Sequence, residues 1–78
     1  MAVFEEFRRS IARVTRTAEN DITLETKLSE IKADSLHWVQ IIIGTESALD
    51  IEIDIDKDKM SEMTTVREFV DYIETFVD

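Results

Sequence analysis

Between Asp34 and Asp50 the chain carries Leu36, Trp38, Val39, Ile41, Ile42, Ile43, Ala48 and Leu49, with no proline to interrupt them. Wound as a helix, this stretch leaves His37, Gln40, Gly44 and Ser47 as a narrow, uncharged polar strip. An apolar arc that wide must be enclosed by other elements or must offer part of itself to a partner. Asp34 is placed to cap the helix at its start. The run Ile41 to Ile43 has strand-forming residues, but the length of the segment, its cap and the lack of flanking turn signals favour a helix.

The remaining segments supply the cover. Val3, Phe7, Ile11 and Val14 recur at spacings of four, four and three, which predicts a first helix over Ala2 to Arg16. Residues Thr17 to Ala33 hold Ile22, Leu24, Leu28 and Ile31, too sparse for a long amphipathic helix but enough to anchor a long loop onto a core. Asp50 to Asp56 alternates acid with isoleucine, the period of a half-buried strand; no second convincing strand exists to pair with it, so an extended connector is expected. A short third helix is expected over Asp56 to Glu62. Thr65 and Glu68 form a capping-box pattern, and Val66, Phe69, Val70, Ile73, Phe76 and Val77 make a helical stripe to the end of the chain. The fold class expected is all-α, a four-helix bundle with a long first loop and a short third helix, residues 1–78 forming one domain.

Leu, Ile, Val and Phe make up 24 of the 78 residues, above the roughly one-fifth below which a highly charged chain stays disordered. The formal charge of −9 is unevenly placed. Residues 1–33 balance six acids with six bases, whereas residues 34–78 hold twelve acids against Lys57, Lys59 and Arg67. Such a balance disfavours nucleic acid and anionic membranes and favours partners with basic docking surfaces. No apolar run reaches the length of a membrane span, and Met1 to Ser10 lacks a signal-peptide core, so a cytoplasmic monomer without membrane insertion is expected.

Several chemistries lack their residues. There is no cysteine, hence no sulfur nucleophile, disulfide or thiolate metal site. Asp54, Asp56 and Asp58 have the opening spacing of a calcium loop, but its sixth position is Lys59 instead of Gly and its twelfth is Thr65 instead of Glu. No metal is expected. Ser35 and His37, two apart on a helix, point to different sides and cannot act as nucleophile and base. The chain reads as a protein on which enzymes act, not as an enzyme.

Ser35 stands in Ala33-Asp34-Ser35-Leu36 at the head of the second helix, where a serine by itself is most often a cap. The order around it is more specific: a helix, a long loop, Asp-Ser-Leu opening an apolar helix, an acidic connector, Thr64-Thr65-Val66 and a last amphipathic helix. Over nearly the whole chain this resembles the acyl carrier proteins. The resemblance implies that Ser35 carries a 4′-phosphopantetheine arm, attached from coenzyme A by a phosphopantetheinyl transferase. It further implies that the arm's thiol holds acyl intermediates as thioesters in fatty acid, polyketide or related specialised biosynthesis. Acyl-, ketosynthase-type or adenylating enzymes would be the further partners. A helix N-terminus suits the arm's phosphodiester anion.

Carried onto this sequence, the resemblance makes Asp34 the cap that helps position the modifying enzyme and gives Leu36, Ile43 and Glu46 to partner contact. Trp38, Val39 and Ile42 would wall an acyl pocket, with Val39, Ile42, Leu49, Phe69 and Ile73 in the core. The chain departs from the common pattern at Lys32, where Gly is usual, at His37 and Gln40, where acids are usual, at Asp54, where Pro is frequent, and in the bulk of Trp38. His37 is expected at the surface. A D-alanyl or aminoacyl carrier is the close alternative, and an unmodified acidic adaptor or inhibitor the alternative of another class.

Overall fold

The computed structural model describes residues 2–55 and 57–77. Among these, four helices follow one another: α1 (Ala2–Thr15), α2 (Ser35–Leu49), α3 (Lys57–Glu62) and α4 (Val66–Glu74). The loop from α1 to α2 contains two single 3-10 turns, Glu19–Asp21 and Leu28–Glu30. The architecture is an all-α bundle. The expected start of α3 at Asp56 lies outside the described residues, as do Met1, Asp78 and the middle member of the rejected calcium triad.

α1 ends one residue earlier than its pattern predicts, because Arg16 takes a left-handed backbone (φ 58°) that a helix cannot continue. α4 also stops early. Its last helical residue is Glu74 with Thr75 as C-cap, so the apolar stripe outruns the helix: Phe76 is half-buried and Val77 is 40% exposed. Thr65 Oγ1 accepts the Glu68 N–H at 3.3 Å, but Glu68 Oε2 accepts from the Thr64 N–H at 3.0 Å, one residue before the position a capping box requires.

The core is drawn from every long segment. Phe7 and Ile11 of α1, Ile41 of α2, and Val66, Phe69, Val70 and Ile73 of α4 have no exposed surface. Ile22 from the loop and Ile53 from the connector close the same cluster. Each such Phe or Ile contributes roughly 1.5–3 kcal/mol by leaving water. Two backbone links tie the loop to the head of α4: Lys27 and Thr65 form an antiparallel bridge, and the Arg67 N–H donates to Leu24 O at 2.9 Å. Outside the backbone, Arg67 pairs with Glu25, which raises the guanidinium pKa through the hydrogen bond and the charge together.

The connector is extended, as its lack of a pairing partner predicts. Asp50 ends α2 in a left-handed cap (φ 55°), and beyond it the isoleucines turn inward, Ile53 buried, Ile51 and Ile55 half-buried. Two groups hold this segment. The Ile53 N–H donates to Glu46 Oε2 at 2.6 Å, and Tyr72 donates its hydroxyl to Asp54 O.

α2 departs from the expected core. Its fully buried residues are Ile41 and Thr45, the latter's hydroxyl satisfied by Ile41 O at 2.8 Å. Ile42 and Leu49 are half-buried and Val39 is 50% exposed. The arc is wider than its neighbours can cover: α1 and α4 enclose one side of α2, and the remainder faces outward. Gly44, which the projection sets on the polar strip, is turned toward a neighbouring helix. It faces Ser10 and Arg13 of α1, where a Cβ would stand 2.6 Å from Arg13 Nη2 and 3.0 Å from Ser10 Oγ.

Candidate functional site

The head of α2 is built around Asp34. Its backbone is extended and its Oδ1 accepts the His37 N–H at 2.9 Å, which satisfies one of the donors a helix start leaves free. His37 returns the bond, its Nδ1 accepting the Asp34 N–H at 3.3 Å. The imidazole thus occupies the place where a capping box ordinarily has Glu or Gln, with the ring proton on Nε2. The His37 amide bond, foremost, holds the Asp34 carboxyl below its ordinary value, against the opposing effect of desolvation. His37 is therefore more than a surface residue. Sequence reasoning missed the ring because histidine is not a usual member of the motif.

Ser35 follows as the first helical residue, exposed, with Leu36 beside it 64% exposed. It also lines a cleft of about 480 Å³ whose other walls are Trp38, Val39 and Ile42 of α2, Ile55 of the connector, and Met60 and Ser61 of α3. The structure therefore gathers Ser35, Trp38, Val39 and Ile42 around one mainly apolar space. Ile55, Met60 and Ser61 were not among the sequence candidates. The inward period of the connector isoleucines signals Ile55; no local pattern marks the other two, which arrive with the placement of α3.

Trp38 joins this cleft to the core. Its ring stacks on Phe69 at 5.8 Å between centroids and on Phe7 at 6.4 Å, and Phe7 and Phe69 stack on each other at 4.6 Å. Leu36 and Ile43, with Val39 between them, form an exposed stripe on the outer side of α2, Ile43 at 56% exposure. Glu46, expected with them, has one carboxylate oxygen accepting the Ile53 N–H at 2.6 Å.

Ser35 thus presents an exposed hydroxyl at the start of α2, beside a mainly apolar cleft. The family model described as "Phosphopantetheine attachment site" matches residues 5–73. The acyl carrier protein of Lactococcus lactis subsp. cremoris (strain MG1363) is 39% identical over 74 residues, covering 95% of this chain and 96% of its own. That of Streptococcus pneumoniae serotype 4 is 35% identical over 74 residues, 95% of each chain. The chain belongs to the acyl carrier protein family, the carriers to which 4′-phosphopantetheine is covalently attached. No helix among the described residues is long and apolar enough to cross a membrane.

Proposed function

We propose that Ser35 is the attachment residue and that the chain carries acyl intermediates for fatty acid, polyketide or a related specialised biosynthesis. The observation that carries this reading is the position of Ser35 on the rim of the apolar cleft, exposed to an enzyme on one side and continuous with Trp38, Val39 and Ile42 on the other. In the loading step Ser35 Oγ attacks the pantetheine-side phosphorus of coenzyme A. A phosphodiester forms, adenosine 3′,5′-bisphosphate leaves, and the hydroxyl proton passes to a base of the transferase.

The surroundings of Ser35 fit the product. A helix start has free N–H groups and partial positive charge, which favour the phosphodiester, and Asp34 leaves the Ser35 N–H unclaimed by directing its Oδ1 to His37. Once bound, the arm supplies a thiol that this cysteine-free chain lacks. The apolar walls favour an acyl cargo over a D-alanyl or aminoacyl one, whose ammonium group would lose hydration there. The chain would act as a single cytoplasmic domain and a monomer, served by a phosphopantetheinyl transferase and by acyl-, ketosynthase-type or adenylating enzymes.

Intact-mass analysis after incubation with coenzyme A and a phosphopantetheinyl transferase tests the assignment. One arm is expected on the wild-type chain and none on Ser35→Ala. An unmodified wild-type chain would support the acidic adaptor or inhibitor instead, and an arm on Ser35→Ala would move the attachment elsewhere.

A further inference from the structure

The acidic surplus of this chain does not lie on the outer face of α2. That face carries Leu36, Val39 and Ile43, all at least half exposed, together with the uncharged Gln40 and Ser47. Glu46 is the one acid of α2, and its carboxylate is committed to the Ile53 N–H. The edge toward α1 is cationic. Because residue 44 has no side chain, the Arg13 guanidinium comes to within 2.6 Å of where a Cβ would stand. It fills that notch, and Arg13 pairs with no carboxylate among the described residues. Arg9, one turn earlier on α1, is paired with Glu6 at 2.8 Å.

From this geometry, we infer that the α2 face with Arg13 at its edge is read by a partner surface presenting an apolar patch bordered by a carboxylate. The partner is the transferase of the same cell that places the arm on Ser35. The inference rests on the carrier reading, since an enzyme reaching Ser35 must cover the head of this face. Gly44 lies nine residues beyond Ser35, about 13 Å along a helix rising 1.5 Å per residue. A contact patch of about 800 Å² has a radius near 16 Å and so reaches Arg13. An unpaired cation at the border of an apolar patch steers association and rejects a like-charged surface. A partner chosen on net charge alone would be basic; at this edge it would meet repulsion.

The test is arm transfer by the transferase encoded in the same genome, followed by intact mass for kcat/KM at low and high salt, with thermal melts to verify folding. Arg13→Glu should lower kcat/KM about tenfold at low salt, and the loss should shrink as salt screens the contact. Arg13→Met, which keeps an unbranched stem and loses the charge, should fall between. Lys27→Glu makes the same change of net charge on the loop bridged to Thr65 and should leave the rate within about twofold. Equal or faster loading of Arg13→Glu overturns the inference and leaves the carrier reading intact. A wild-type chain that takes no arm overturns both.

Discussion

Trp38 and Phe69 lie nearly parallel, 12° between ring planes with centroids 5.8 Å apart, so the residue that walls the cleft also rests on the center of the core. The two roles can be separated by substitution. Trp38→Ala removes the stack on Phe69 and Phe7 and should cost on the order of 3 kcal/mol. Trp38→Phe keeps a ring there and should cost less than about 1.5 kcal/mol. Urea denaturation reads both. If Trp38 limits the depth of the cleft, the arm-bearing Trp38→Ala protein will protect long acyl thioesters from hydroxylamine better than wild type does; unchanged protection of medium and long chains would rule that out.

The cap at Asp34 carries a pH signature. Its folded pKa lies below the ordinary value of 3.8, chiefly because the carboxylate accepts the His37 N–H. A depressed carboxylate stabilises the fold above the unfolded pKa, and that contribution disappears as the pH falls through the lowered folded value. Asp34→Asn can still cap but does not titrate there. The stability difference between wild type and Asp34→Asn should therefore be constant near neutrality and drift against wild type below about pH 4. Paired denaturation curves from pH 6 to pH 2 measure it, and a drift in the opposite direction would contradict the geometry.

At the other cap, Thr65 Oγ1 accepts the Glu68 N–H, while the Thr65 backbone bridges Lys27. Thr65→Ala removes the first bond and leaves the second. The expected loss is about 1 kcal/mol, read as a lower denaturation midpoint at unchanged slope. A loss of several kcal/mol, or a changed slope, would mean that the side chain also holds the loop onto α4.

Much of this molecule can be read along the chain. The stripes of α1 and α4, the Asp34 cap and the inward isoleucines of the connector follow from residues within a few positions of one another, where periodicity and capping act. The family order around Ser35 is not local but runs over nearly the whole chain, and because it is an order along the sequence it makes Ser35 stand out without coordinates. A helical wheel has no neighbours: it sets Gly44 on the polar strip, where the structure turns it to α1, and it does not show that Glu46 reaches the connector. Arg13, thirty-one positions from Gly44, and the Ile53 amide, seven from Glu46, determine where those residues actually stand.

By itself the sequence determined which segments become helices and where α2 begins, since both depend on short-range spacing and caps. Only the tertiary structure decided that α2 keeps an apolar face outward, that Ile55 and Met60 complete the cleft beside Ser35, and that an arginine borders that face. Those outcomes depend on how closely α1, the connector and α3 approach α2, and that approach is set by the packing of side chains far apart in the chain.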